Sequence, residues 1–336
     1  MAFLSEKPDI TFKSPLFAAI LANTVLSTVP GISGAGPGPE KTLLTPNLDA
    51  ELITDGKITS TTGNPNTPTG CPTPATITRA MMVLTGLKPL FINAGLRFTP
   101  TVPCLDAYGE VGKDPRDGDA LPSASRLFEQ GERIGSFLSA QSDLLILGEC
   151  VPGGTTTALC LLRAFGYVAS VSSSFVENPL SIKEDVCRQS LARAKAAGPV
   201  SPLDLVRSLG DPMMPVAAGI AKTYTGTLVL AGGTQMLAVS ALIKARGGAL
   251  PSVVTTSYVR DDPSANVPAL VRQIGVNITY VDPGFGDLGH AGLARYCIGE
   301  VKEGTGAGGA MYLASLMGHS PDAIRQAILA TIATCS

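Results

Sequence analysis

The sequence predicts an α/β fold, in which a doubly wound, mostly parallel and Rossmann-like sheet carries helices on its faces. Three observations lead to this prediction. Short apolar runs alternate with longer helical patterns along most of the 336 residues. The apolar runs are nearly continuous, which is typical of strands buried on both faces of a parallel sheet. Hydrophobic residues make up 45% of the chain, enough for a sizeable core.

The predicted elements alternate in the order that such a sheet requires. Runs rich in Val, Ile, Leu or Thr predict strands at residues 16–21, 89–94, 143–147, 227–231, 252–258 and 277–281. Helices are predicted between them at residues 123–140, 158–165, 202–209, 236–245 and 267–274. Two more, at residues 307–317 and 321–334, cover the sheet or form a small helical subdomain. Residues 31–74 are rich in Pro, Gly, Thr and Asn and predict long ordered loops.

Composition excludes several classes of function. Only two histidines are present, His290 and His319, which excludes a multi-histidine metal centre. Nucleic acid is not an expected partner, because 25 basic and 27 acidic residues leave a net charge of −2 and no basic stripe. Seven cysteines without a C-x-x-C pair predict reduced thiols.

A membrane partner is not expected either. No segment reaches the roughly 20 continuous apolar residues that a membrane-spanning helix needs. The first residues, MAFLSEKPD, carry acids and a proline where a secretory signal would be basic and then apolar. We therefore expect a cytoplasmic protein.

The segment 143–167 is the most informative one for chemistry. A buried strand runs into Glu149, then into the glycines and threonines of residues 153–157, and then into a helix. Glycines let the backbone approach a ligand, and the first amides of a helix form an anion site. We interpret this loop as a phosphate site, although an ordinary strand-to-helix turn with a threonine cap fits the same residues.

Two more glycine-rich loops precede predicted helices. Gly232, Gly233 and Thr234 follow the strand at 227–231, so this loop and the first one would face one crevice. Glycines that merely allow helix packing are the alternative. In the third loop, Glu303 precedes the Gly-Thr-Gly of residues 304–306, where its carboxylate is either a general base or a favourable charge on the helix dipole.

Three other positions have chemically plausible side chains. His290 follows Asp287 by three residues, and a ligand contact or a structural hydrogen bond fits it better than a catalytic triad, since no G-x-S-x-G motif supplies a nucleophile. Cys150 is interpreted as a small side chain in a pocket wall rather than a nucleophile. The acidic pair at 261–262 is interpreted as a turn.

Two of these loops carry a family resemblance. The segments GECVPGGTTTALCLL and KEGTGAGGA resemble the hallmark loops of the nicotinate-nucleotide–dimethylbenzimidazole phosphoribosyltransferases, which read roughly G-E-x-x-x-G-N-T-T and G-E-G-T-G-A. Weaker similarity extends to residues 30–32, 72–81 and 286–290, so the resemblance spans most of the chain. The sequence is most similar to a divergent branch seen in archaea and cyanobacteria.

The resemblance implies a large parallel-sheet domain, a small helical domain from both chain ends, and a homodimer. On this chain the large nucleotide-binding α/β domain takes residues 80–300, with the strand near 16–21 as a candidate to join it. The smaller domain takes residues 1–79 plus 301–336. The expected partners are nicotinate mononucleotide and an aromatic base that accepts its phosphoribosyl group.

The resemblance also implies roles for single residues. By motif match, Glu303 stands where the family keeps its general base, and Glu149 where it keeps the other loop acid. The expected phosphate and ribose contacts are Glu149, Gly153, Gly154, Thr155, Thr156, Gly304, Thr305 and Gly306. Further expected pocket residues are Cys150, Thr73, Thr78, Gly232, Gly233, Thr234 and His290.

Three departures from the family pattern concern the acceptor base more than the donor. Gly154 replaces an asparagine, residues 232–234 replace an acidic Asp-Gly-Phe turn, and Lys302 replaces a glycine. A non-catalytic nucleotide-binding protein of the same fold, or a transferase that uses another aromatic acceptor, therefore remains an alternative to the benzimidazole reaction.

The implied chemistry suits a chain with two histidines. The nicotinate ring of the donor is a cationic pyridinium, which leaves as a neutral ring without a metal, a cofactor or a histidine. Only the acceptor must lose an N–H proton, and one carboxylate such as Glu303 can take it. We expect Lys302 to lower the pKa of Glu303, unless its ammonium points to the donor.

Overall fold

The computed structural model describes residues 2–36, 38–61, 65–198 and 201–335, and it contains one parallel sheet. Its strands are β1 (Pro15–Ala22), β2 (Leu90–Gly95), β3 (Cys104–Asp106), β4 (Leu144–Cys150), β5 (Thr227–Ala231), β6 (Ser252–Thr256) and β7 (Ile278–Val281). They lie in the order β3-β2-β1-β4-β5-β6-β7, and each neighbouring pair is parallel. The predicted doubly wound α/β fold is confirmed.

The helices occupy both faces of this sheet. They are α1 (Pro39–Thr42), α2 (Thr45–Asp55), α3 (Pro74–Thr85), α4 (Ala124–Ser139), α5 (Gly154–Ala164), α6 (Leu180–Ala197), α7 (Pro202–Leu209), α8 (Met213–Thr223), α9 (Thr234–Ala245), α10 (Ser257–Arg260), α11 (Val267–Ile274), α12 (Ala291–Ala294), α13 (Ala307–Leu316) and α14 (Pro321–Cys335). Within the described ranges, none of them is long and apolar enough to cross a membrane.

The sheet separates two hydrophobic cores. Along β1, Ala18 and Ile20 face the core formed with α4, α5, α8 and α9, whereas Phe17 and Leu21 face the core formed with α2, α3, α13 and α14. Both sets are fully buried. This burial on both faces explains why the strands are continuously apolar in sequence.

Strand β1 lies in the interior of the sheet, next to the central strand β4, so the predicted strand at 16–21 does join the sheet. It pairs with β2 on one side and with β4 on the other, where Ile20 lies beside Glu149. The strand order reverses between β1 and β4. Open α/β sheets bind ligands outside the carboxyl ends of the strands at such a reversal. The division at residues 80 and 300 stays a prediction.

Several elements differ from the sequence prediction. The predicted loops at 31–74 contain α1 and α2, while residues 37 and 62–64 lie outside the described part. Strand β4 continues to Cys150 and α5 begins at Gly154, so the first glycine-rich loop is shorter than predicted. The strand predicted at 252–258 ends at Thr256, and α10 begins there. Elements β3, α3, α6, α8 and α12 were not predicted.

Candidate active site

Three glycine-rich loops meet at the carboxyl ends of β4 and β5. A Cβ atom on Gly148 would lie 3.0 Å from the Cα of Gly306, so the loop before α13 touches the end of β4. The turn between β5 and α9 reaches the same place, because Gln235 Nε2 donates a hydrogen bond to Glu149 Oε2 over 3.2 Å. The loops therefore share one region beside the strand-order reversal, as predicted.

Glu303 lies in the loop four residues before α13, and its carboxylate meets amides of this loop and of the first turn of the helix. Gly304 N–H donates to Oε1 over 3.1 Å, and Gly308 N–H lies 3.2 Å from each carboxylate oxygen. These amides lower the pKa of the carboxyl, but desolvation outweighs them and raises it to about 7. The residue as a whole is partly exposed, while its carboxyl group is buried. Such a carboxyl can exchange a proton near neutral pH.

Glu149, one residue before the end of β4, is more deeply buried, with 3% of its surface exposed. Desolvation raises its pKa to about 8, and the neighbouring carboxylates Asp211 and Glu303 add to the shift. Glu149 therefore holds its proton to a higher pH than Glu303 does. Two neighbouring acids with separated pKa values are a common arrangement for acid–base chemistry.

Two further buried carboxylates, which the sequence analysis missed, lie around this pair. Asp49, on α2, accepts hydrogen bonds from Thr305 Oγ1 over 2.7 Å and from the Cys150 thiol over 3.4 Å. Asp211, just before α8, accepts one from Thr157 Oγ1 over 2.6 Å. Burial raises the pKa of both to about 6.

Neither aspartate has a local signal in the sequence. Asp49 lies in a segment predicted as loop, and Asp211 precedes a helix that was not predicted. Within the described residues, no ion pair reaches either aspartate, Glu149 or Glu303. No group of three His, Cys, Asp or Glu side chains in the same ranges is arranged to hold a metal ion.

The predicted phosphate loop begins α5. Gly153 has a φ of +80°, a conformation that glycine adopts without strain, and it packs on the backbone of Ser27. No side chain caps this helix, so the alternative of a threonine cap is not what the structure shows. The Oγ1 atom of Thr156 is buried without a hydrogen-bond partner among the described residues, while Thr155 is partly exposed.

The other expected pocket residues fall into two groups. Thr73 and Thr78 touch the Glu303 loop region: Thr73 Oγ1 donates to Asp49 over 3.4 Å, and Thr78 Oγ1 donates to the Thr305 carbonyl over 3.0 Å. Burial raises the pKa of the Cys150 thiol, which favours the interpretation as a wall residue. His290 instead accepts a hydrogen bond from the Leu293 amide on Nδ1, a structural role at the start of α12.

The turn of residues 232–234 also lies against the acids. A Cβ on Gly232 would come within 3.2 Å of Glu149 Oε1. Gly233 directly precedes α9, and Thr234, the first residue of this helix, is buried with no partner for its hydroxyl among the described residues. The altered turn of this sequence is therefore part of the site.

Comparison with known proteins gives the family. No model of a protein family matches the sequence. The chain is, however, 43% identical over 335 residues to a UPF0284 protein of Methanosarcina mazei, which covers 96% of this chain and 94% of that protein. The chain belongs to the UPF0284 family. Other members include proteins of Methanosarcina acetivorans, 42% identical over 98% of this chain and 97% of that one, and of Thermococcus gammatolerans, 42% identical over 93% and 96%.

Solved structures give the fold of this UPF0284 protein. It matches the nicotinate-nucleotide–dimethylbenzimidazole phosphoribosyltransferase of Thermus thermophilus with a TM-score of 0.59 and 16% identity, over 94% of this chain and 82% of that one. A structure of CobT from the same organism matches with the same TM-score and identity, over 95% and 83%. The likeness of fold extends over nearly the whole chain, so the fold that the resemblance implies is confirmed.

Proposed function

We propose that the protein is a pentosyltransferase that moves 5-phosphoribose from nicotinate mononucleotide to a benzimidazole-type base. The product is an α-ribazole phosphate, used to assemble the lower ligand of cobalamin. The observation that carries the proposal is the position of Glu303, whose buried carboxylate lies on the amides of Gly304 and Gly308 and has a pKa of about 7, which suits a general base. The shared fold and the two matched loops support it.

In the proposed reaction, Glu303 takes the N–H proton of the acceptor base. The deprotonated nitrogen forms the new bond to C1′ of the ribose, while the bond from C1′ to the pyridinium nitrogen breaks and its electron pair stays on the departing nicotinate ring. No cofactor or metal is needed, since the leaving ring becomes neutral. Holding both rings across C1′ supplies much of the remaining rate enhancement.

The neighbouring groups have roles that follow from their charge. Protonated Glu149 is a hydrogen-bond donor for ribose or acceptor at neutral pH. The amides at the start of α5 and the hydroxyls of Thr155 and Thr156 suit the phosphate of the donor. Ionised Glu303 and the two buried aspartates favour the positive charge that develops on the ribosyl group.

The Glu303→Gln variant tests the proposal, because it keeps the shape of the side chain and removes the base. We expect the release of nicotinate in the presence of dimethylbenzimidazole to fall by roughly 10²–10⁴-fold. The matched control is Glu129→Gln, on the exposed surface of α4, which should keep wild-type turnover. Unchanged turnover in Glu303→Gln would refute the role of this residue.

The acceptor is tested with the wild-type protein and a panel of benzimidazoles, phenols and adenine. Product formed from another aromatic base would identify a different acceptor, while the proposed class of reaction would stand. If nicotinate mononucleotide binds in a calorimeter yet no base yields product, the protein is a nucleotide-binding protein without this activity.

We also propose that the protein is a homodimer in the cytoplasm. Sedimentation would show the dimer as twice the chain mass of 34.5 kDa.

A further inference from the structure

The loop that carries Glu303 has an unusual backbone. Val301, Lys302 and Thr305 have φ angles of +64°, +66° and +47°, in the left-handed region that L-amino acids with side chains rarely adopt. Tyr108 is the other non-glycine residue with positive φ in the described part of the chain. Such a conformation persists only where the surrounding contacts hold it.

The side chain of Lys302 supplies several of these contacts. It is 3% exposed, and its ammonium donates to the carbonyls of Ser173 over 2.6 Å and Phe175 over 2.9 Å. It also pairs with Asp262, at 3.3 Å. The ammonium thus points to the segment before α6, not to Glu303 or the crevice. The expected lowering of the Glu303 pKa by Lys302 is wrong, because desolvation raises this pKa and the ammonium is engaged elsewhere.

The partner carboxylate is fixed in turn. Asp262 is 6% exposed, and it accepts hydrogen bonds from Ser172 Oγ over 2.6 Å and from the Ser264 amide over 2.9 Å. The interpretation of residues 261–262 as a simple turn is therefore incomplete. Lys183, on α6, is buried close enough for its charge to act on both members of the pair. The backbone carbonyl of Lys302 accepts a further hydrogen bond from Thr256 Oγ1, at the end of β6, over 2.7 Å.

We propose that Lys302 and Asp262 form a positioning pair, which holds the strained loop so that the carboxylate of Glu303 stays on the amides of Gly304 and Gly308. Neither member touches the reacting atoms. The kinetic part of this inference, the effect of the pair on nicotinate release, rests on the proposed function. The geometric part, the position of the Glu303 carboxylate on the two amides, does not, and the two parts are measured separately.

The geometric part is measured by nuclear magnetic resonance on protein labelled with ¹⁵N-glycine. The amides of Gly304 and Gly308 bond to Glu303, so their resonances should shift with pH around a midpoint of about 7. Glu149 also titrates nearby, so Glu303→Gln serves to assign the shift, which should vanish in that variant. This measurement needs no catalytic activity.

The test variant is Lys302→Met combined with Asp262→Asn, because removing one partner alone would leave a buried unpaired charge. We expect the titration of the two glycine amides to be lost and nicotinate release to fall at least tenfold, with the Kd for nicotinate mononucleotide changed less than twofold. The matched control replaces an exposed pair on α6, Arg188→Met with Asp185→Asn, and should behave as wild type.

The outcomes separate the two proposals. If the wild-type protein transfers no phosphoribose, the proposed function fails, and the amide titrations alone decide on the positioning pair. A folded double variant with wild-type titration and turnover overturns the pair. If the Kd for nicotinate mononucleotide rises while the two glycine amides still titrate, Lys302 contacts this substrate instead, and the positioning pair is overturned. If the double variant does not fold, Asp262→Asn, which keeps both carbonyl contacts of Lys302, must show weakened titration or the inference is overturned.

Discussion

Two opposing effects set the proton affinity of Glu303. Removal of water raises its pKa, while the amides at the start of α13 stabilise the carboxylate and lower it. Either effect alone would make a poor base at neutral pH, since a fully stabilised carboxylate binds protons weakly and an isolated buried one stays protonated. The structure combines both, and it leaves the residue partly accessible.

The pH dependence of turnover follows from this balance. If ionised Glu303 is the base, kcat/KM for the acceptor should rise about tenfold per pH unit below pH 7 and level off above a pKa of about 7. The rate of the uncatalysed reaction at each pH must be subtracted from the measured rate. Glu303→Gln should lose this dependence together with most of its activity. A rate that is independent of pH between 5 and 8 would contradict the assignment.

Whether a strand or helix could be predicted from the sequence depended on how clearly its buried residues form an apolar pattern. Strands β5 and β7 and helices α7 and α11 lie close to their predicted positions, because each has a clear apolar pattern bounded by turn residues. Helix α8 was missed because it is buried nearly all round and lacks an amphipathic period. Helix α6 was missed for the opposite reason, since its buried face includes Lys183 and Ser190.

The residues of the site, like the elements, could be predicted only where the local sequence has a clear pattern. Glu149, Glu303 and the glycines beside them are visible in sequence, because each lies in or next to a short loop that precedes a helix. Asp49 is linked to them by a hydrogen bond from Thr305, which lies 256 residues further along the chain. Nothing local distinguishes such a residue from a surface aspartate, so only the packing of α2 against the rest of the molecule identifies it.

Helix α13 depends on close packing against the sheet, which gives a prediction about stability. A Cβ on Gly309 would overlap the Cβ of Ala231 and lie 2.8 Å from Ile146 Cγ2. Both neighbours belong to central strands and cannot move away cheaply. We expect Gly309→Ala to reduce the free energy of unfolding by about 1–3 kcal/mol, despite the better helix propensity of alanine.

Urea unfolding measures this change through the midpoint concentration. The control is Gly118→Ala, whose Cβ would meet nothing within 4 Å and which should change stability by less than about 0.5 kcal/mol. A Gly309→Ala variant as stable as the wild type would show that α13 can shift, and that the position of Glu303 is less constrained than the packing indicates.

For the whole molecule, the buried carboxyls make stability depend on pH. Glu149, Glu303, Asp49 and Asp211 all have pKa values raised above their ordinary ones, so the folded protein keeps protons that the unfolded chain releases. Their contribution is complete at acidic pH and is lost as the pH rises through about 6 for the aspartates, 7 for Glu303 and 8 for Glu149. Lys183 acts in the opposite direction, since its pKa is lowered to about 7 and its effect makes stability rise above that pH.

We therefore expect the free energy of unfolding to fall between pH 5 and pH 7, by an amount on the order of a few kcal/mol. In this interval the acids with raised pKa values lose their protons, while Lys183 stays largely charged in both states. Urea unfolding at the two pH values measures the change. The Glu149→Gln variant, which cannot ionise, should lose less stability than the wild type over the interval, whereas the exposed control Glu129→Gln should lose as much. Stability that rises from pH 5 to pH 7 would mean that these acids are paired or hydrated in solution, and a binding site for a cationic ring would then lack its electrostatic basis.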